Sequence, residues 1–272
     1  GRRECKKYKE LKKNGSEPPD PSSKNYILAV TSGPAEKKKF TIYFFLRSRS
    51  SKNIASVLKD GWKFSTLVTD AYSGYDSLVA ELGRPVVQQN CLIHFRRTIA
   101  KAIDPETWTD EMLAIDEKRC REVLSRDFRE ESPRFMLYYC LNAISKIYRL
   151  ESLAGCHEGY YPERIEEARK TSLGLMDKID GIMKTLSVKH TKTGERGGVQ
   201  AEKGDPYGQP CVYWQNNADK LRLFLDHPDV PPDSSCVERA IRPLTLYRTS
   251  VSWKAGVEGM EEMCMVYSLS YF

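Results

Sequence analysis

Phe64-Ser65-Thr66-Leu67-Val68-Thr69-Asp70-Ala71-Tyr72-Ser73-Gly74-Tyr75 runs an apolar, β-branched stretch straight into an acid. The stretch reads as a strand with Asp70 at its C-terminal end. Ligands of open α/β sheets gather at that edge, so Asp70 is a candidate for chemistry; the plain alternative is an Asp that only caps the turn it opens. Downstream, Tyr75, Leu78, Val79 and Leu82 share a helical face that Gly83 closes, and the residues from Val86 to Cys91 read as another strand. Upstream, 26–31 and 40–46 are two strands joined through Ser32-Gly33-Pro34. Ser51 is placed to cap a helix with Ile54, Val57 and Leu58 on one face and Gly61 as its stop. The order strand, strand, helix, strand, helix, strand predicts an α/β fold, a mixed sheet with helices packed on it.

Composition allows this and excludes other classes. The 272 residues are 40% hydrophobic and 29% charged, which is globular and long enough for one large domain or two ordinary ones. The longest apolar runs, such as 41–46 and 135–141, fall far short of the ~20 residues that a membrane-spanning helix needs. The charged opening Gly1-Arg2-Arg3-Glu4-Cys5-Lys6-Lys7 has no apolar stretch behind it, so no signal peptide is expected, and the lack of an initiator Met suggests an excised segment. A net charge of +6 suits a polyanionic partner without naming one. The eight cysteines are scattered with no Cys-x-x-Cys pair, as expected of reduced thiols in a cytoplasmic protein.

Residues 1–24 join a basic run to Pro18-Pro19-Asp20-Pro21 and read as a linker or hairpin excursion. From about Ile93 to Val188 the chain reads helical almost throughout. After Pro162, residues Ile165, Ser172, Ile179 and Leu186 fall seven apart with Ala168, Leu175 and Ile182 between them, a heptad seam whose expected partner is the apolar helix over 135–150. Gly174 and Gly181 are its weak points. Glycines 194, 197, 198, 204 and 208 mark a flexible loop over 190–210. The expected division is therefore a core in two parts, 25–105 and 211–272, separated by a helical insertion with its Gly-rich loop over 106–210.

The second candidate acid lies in Ser234-Ser235-Cys236-Val237-Glu238-Arg239-Ala240-Ile241-Arg242-Pro243, on a helix that Asp233 caps. Glu238 with Arg242 four residues on is either an ordinary helical ion pair or a metal-binding carboxylate beside phosphate-binding arginines. Cys91 and His94 form a Cys-x-x-His pair just after the fourth strand, but two ligands do not make a zinc site. Arg96 and Arg97 are either phosphate contacts or a solvated helix face. Trp214 and Trp253 are either buried anchors or base-stacking platforms.

Three of these stretches together resemble the catalytic domain of bacterial insertion-sequence transposases of the IS-sixty-six group. They are Asp70-Ala71-Tyr72-Ser73-Gly74-Tyr75, Cys91-Leu92-Ile93-His94-Phe95-Arg96-Arg97, and Ser234 to Pro243 with Glu238-Arg239 and Arg242-Pro243. The resemblance implies a ribonuclease-H-like mixed sheet with a large all-helical insertion, and an Asp, Asp, Glu triad that holds two Mg²⁺ or Mn²⁺ ions for DNA strand cleavage and transfer. Asp70 and Glu238, 168 residues apart, would be the catalytic and metal-binding acids. His94 and Cys91 would support them, and Arg96, Arg97, Arg239, Arg242 and Arg248 would contact DNA. DNA is the implied partner, a homo-oligomer a further expectation, and the nucleoid in the cytoplasm the implied place. The chain also departs from the pattern: Ser234-Ser235 stand for an Asn pair, Ala71 for Gly, and Thr249-Ser250 for Lys-Asn. The family's first Asp is not found. Asp20 is flanked by prolines that forbid a central strand, so the chain is expected to begin after that acid and to stop inside a continuing helix. A rival expectation follows, a catalytically incomplete DNA-binding or assembly module.

Overall fold

A computed structural model describes residues 26–103, 132–155, 161–194, 197–250 and 257–269, without the side chains of 245–250 and 257–261. The order is β1 (Tyr26–Thr31), β2 (Thr41–Leu46), α1 (Ser51–Leu58), β3 (Thr66–Thr69), α2 (Gly74–Glu81), β4 (Val87–Asn90) and α3 (Leu92–Ile103). Then come α4 (Pro133–Leu153), α5 (Pro162–His190), β5 (Thr191–Thr193), β6 (Val199–Ala201), α6 (Gly208–Arg222), a 3₁₀ turn (Leu223–Leu225), α7 (Ser235–Ser250) and α8 (Val257–Leu269). The chain is thus a mixed α/β, helix-rich fold. Among the described residues no helix is long and apolar enough to cross a membrane.

The expected strands form, but as two ladders. β1 pairs antiparallel with β2, Tyr26 opposite Leu46, and β3 pairs parallel with β4, Thr66 opposite Val87. Among the described residues β1 and β3 each keep one unpaired edge. Alternation along β1 explains how helices cover both faces of its ladder. Tyr26, Leu28 and Val30 pack with Ile54, Leu58 and Leu78 of α1 and α2, while Ile27 and Ala29 pack with Ala240 and Leu244 of α7 and Cys264 of α8. The cap of α1 is Ser50 rather than the expected Ser51, its hydroxyl accepting the Asn53 N–H at 3.3 Å. Gly61 and Gly83 sit at φ +81° and +64°, the left-handed geometry that made them stop signals.

The largest core joins α3, α4, α5 and α6. Phe95, Ile99, Leu137, Ile144, Met176, Ile179, Ile182 and Trp214 are all at most 2% exposed. The heptad seam holds, with Ile165, Ser172, Leu175, Ile179, Ile182 and Leu186 buried along α5 and packed against α4. In the Gly-rich loop the structure departs from the expectation. Thr191–Thr193 and Val199–Ala201 pair as a small hairpin, because β-branched residues flank a turn in which Gly197 takes φ +77° and the Gly194 N–H reaches Gly198 O.

Strand β4 carries amides where a buried parallel strand usually carries aliphatics. Gln88, Gln89 and Asn90 are at most 8% exposed, and each amide is satisfied. Gln88 Nε2 donates to Thr69 Oγ1 and to Asn90 Oδ1, both at 3.0 Å, and Asn90 Nδ2 donates to Asn217 Oδ1 at 2.8 Å. Gln89 Oε1 accepts the Phe224 N–H at 2.8 Å, which ties the strand to the chain after α6.

Two substitutions probe this packing by chemical denaturation. Phe95→Ala, which removes a ring lying 5.0 Å from Trp214 and 5.6 Å from Tyr213, costs about 3–5 kcal/mol. Gly181→Ala, at an exposed helical site with open space around the added methyl, stabilises by about 0.5–1 kcal/mol.

Candidate functional site

Asp70 follows β3 and opens the turn into α2. Its Oδ1 accepts the Tyr72 N–H at 3.4 Å, the turn-capping role, while its Oδ2 takes the Arg49 guanidinium at 2.9 Å. Arg49 comes from the connection between β2 and α1 and lies 4.0 Å over the Tyr72 ring and 6.0 Å from that of Tyr75. Burial works against its charge, but Asp70 and Tyr75 outweigh this and hold its pKa above the ordinary arginine value. Burial first, and Asp70 second, push the Tyr75 hydroxyl up.

Glu238 stands in the first turn of α7, where a negative charge suits the helix dipole. Arg97 of α3 grips both its oxygens, Nη2 to Oε2 at 2.9 Å and Nη1 to Oε1 at 3.4 Å. His94, one turn earlier on α3, brings Nε2 to 3.6 Å from Glu238 Oε1. Behind His94 lies Cys91, fully buried, whose sulfur also accepts the Ser234 N–H at 3.4 Å. Burial raises the Cys91 thiol, yet the neighbouring His94 ring and the Ser234 N–H outweigh it and the net shift is downward. The same contact is the largest cause that raises His94; burial opposes it and Glu238 adds to it. Cys91, His94 and Glu238 therefore form a line from the interior to the cleft.

Asp70 and Glu238 line one cleft of about 1180 Å³, together with Arg49, His94 and Arg97. Its walls also include β1 and β3 along their lengths. The other expected contacts distribute unevenly. Arg96, Arg239 and Arg242 are exposed, Arg239 reaching back to Ser235 Oγ at 3.3 Å. The Arg248 side chain, Trp253 and Asp20 lie outside the described residues. Trp214 is 2% exposed and donates to Asp180 Oδ1 at 2.9 Å, so it is a core anchor and no base-stacking platform. Arg49 was not among the expected residues. The available signal was an Arg just past the end of β2, an acid's natural counter-ion at the same edge.

The two carboxylates are hard oxygen donors, half-exposed, in one cleft. That suits Mg²⁺, which takes one or two carboxylates and completes its shell with water and substrate phosphates. Among the described residues no three His, Cys, Asp or Glu side chains gather as a metal-binding group. The donor set is therefore compatible with Mg²⁺ and incomplete for a two-ion site.

The family described as "Transposase IS66 family" matches residues 11–261. No curated protein and no solved structure matches the chain.

The raised His94 pKa makes a signed prediction. Its stabilising charge is fully present below about pH 6.5, the unfolded value, and is lost as pH rises through the folded one. The lowered Cys91 thiol contributes with the opposite sign over the same interval, so the comparison is made in a Cys91→Ser background: there the melting-temperature gap between His94 and His94→Gln is expected to be larger near pH 6 than near pH 9, and a gap that widens contradicts the His94–Glu238 contact.

Proposed function

We propose, because the chain belongs to the Transposase IS66 family, that it is the catalytic core of a DNA transposase, acting by metal-dependent strand cleavage and transfer at transposon ends. The observation that carries this reading is that Asp70 and Glu238, from opposite ends of the sequence, line one cleft with a guanidinium on each. Asp70 and Glu238 are the residues that would hold a Mg²⁺ ion, which when bound would supply Lewis-acid activation for phosphoryl transfer. The chain's own groups do the rest. Arg49 and Arg97 sit at half-exposed carboxylates, where water weakens ion pairs, so a DNA phosphate can take their guanidinium forks. His94 lies 3.6 Å from Glu238 Oε1 on the protein side, close enough to attract that carboxylate when the imidazole is protonated. Arg96, Arg239, Arg242 and Arg248 extend the basic surface for the duplex on either side of the cleft. Acting on two ends calls for two such sites, so the reading includes a homo-oligomer at work on DNA in the cytoplasm, at the nucleoid.

A second reading draws on the two ladders. The edges of β1 and β3 that are unpaired among the described residues line the same cleft as Asp70 and Glu238. A strand laid between them would unite the ladders into one ribonuclease-H-like sheet and could bring a third acid beside the other two. A chain that lacks such a strand would be a catalytically incomplete DNA-binding or assembly module with a partial metal site.

Binding of Mn²⁺, read by paramagnetic resonance, tests the first reading. Asp70→Asn and Glu238→Gln are each expected to weaken Mn²⁺ by at least about tenfold and to leave DNA binding in place. No change in either variant contradicts it. DNA affinity is expected to fall steeply with salt, and Arg97→Gln to flatten the log–log slope by about one. Salt-sensitive DNA binding without Mn²⁺-dependent nicking selects the incomplete module.

A further inference from the structure

Arg169 on α5 is 2% exposed, although it flanks the heptad seam where a charge ordinarily faces water. All five of its N–H groups are used. Nε and Nη2 take the two oxygens of the fully buried Glu151 on α4, at 2.8 and 2.9 Å. The other three reach backbone carbonyls: Nη2 to Val230 O at 2.9 Å, Nη1 to His227 O at 2.6 Å, and Nη1 to Phe224 O. These carbonyls run from the 3₁₀ turn into the irregular segment that leads to α7. The far side of that segment is held by the α3 half of the site. Gln89 takes the Phe224 N–H and donates to Leu221 O at 3.4 Å, the Leu92 N–H donates to Pro232 O at 3.0 Å, and the Ser234 N–H meets Cys91. Four residues beyond Ser234 stands Glu238.

A buried ion pair is weak evidence for stability, since desolvation offsets most of its attraction. Its saturated fork is better explained by what it holds, a run of turns whose carbonyls have at most a turn bond from a neighbouring N–H and no helix or sheet ladder. We propose that Glu151–Arg169 is a positioning pair: it hangs the 224–230 segment from the α4–α5 hairpin and so fixes the first turn of α7, which gives the helical stretch between the two candidate acids the task of aiming Glu238. The aim matters for chemistry only on the transposase reading above, whereas the positional claim stands on the contacts alone.

Arg169→Ala would strand the buried Glu151 charge and risk unfolding, so the informative variants are the doubly apolar Glu151→Met/Arg169→Met and the charge-keeping Arg169→Lys. Both are compared with the wild type by peptide-resolved hydrogen exchange, melting temperature and Mn²⁺ affinity. The expectation for the double variant is a melting temperature within about 3 °C of the wild type, exchange over 233–242 at least about tenfold faster, and unchanged exchange over β1–β2. Mn²⁺ affinity should fall about tenfold toward that of Glu238→Gln. Arg169→Lys, whose ammonium cannot serve a carboxylate and three carbonyls together, should show the same pattern more weakly. Unchanged exchange over 233–242, or faster exchange everywhere in both variants, overturns the positional claim. Faster local exchange with wild-type Mn²⁺ affinity overturns the aiming of Glu238. A wild type whose Mn²⁺ binding ignores both Asp70→Asn and Glu238→Gln sinks the metal reading instead, and the exchange pattern still decides the positional claim.

Discussion

Two backbone N–H groups join the halves of the candidate site: Leu92 donates to Pro232 O, and Ser234 donates to the Cys91 sulfur. His94, Arg97 and Glu238 lie within a few residues of that crossing. One partner opens α3, which carries His94 and Arg97; the other closes the segment that opens α7, which carries Glu238. Since Cys91 follows β4, and β4 is hydrogen-bonded to β3, Asp70 is tied into the same frame. The crossing brings residues from distant parts of the sequence into register without relying on a continuous sheet between them.

The frame is supported from both sides by satisfied polar groups in a dry interior. The amides of Gln88, Gln89 and Asn90 occupy a strand that could have been aliphatic, and the Arg169 fork occupies a helix face that could have been leucine. Burying such groups is costly unless every donor and acceptor is met, and here the hydrogen bonds are made. What they add over an apolar core is direction. Each ties a particular backbone group, Phe224 N–H or Val230 O, to one place, and α7 starts from that place. Further along α7, Tyr43 Oη donates to Ala240 O at 2.7 Å and holds the helix on the β1–β2 ladder.

Much of this was legible in the sequence, for identifiable reasons. The four strands of the first part, the turn at Asp70 and the α5 seam follow from period-two and heptad patterns that tertiary contacts reinforce. Glu238 and His94 were singled out because their neighbours form a recognisable series of motifs, not because spacing alone demanded it. Arg49 and Arg169 escaped because a lone arginine beside an apolar stripe reads as a solvated face, and only the fold shows that one covers Asp70 and the other is buried. The hairpin 191–201 was hidden by its glycines, which serve a turn there and looked like a flexible loop. Cys91 was noticed as a possible metal ligand, while its place against His94 and Ser234 depends on the chain returning from residue 234.

On the proposed function Asp70 and Glu238 serve one metal site. A crystal grown with Mn²⁺, examined for anomalous scattering in the cleft, tests it most directly. The account predicts manganese held by oxygens of both carboxylates, with Arg49 and Arg97 released from them. Manganese bound elsewhere, or Asp70 and Glu238 still closed on their arginines in the saturated crystal, would contradict it.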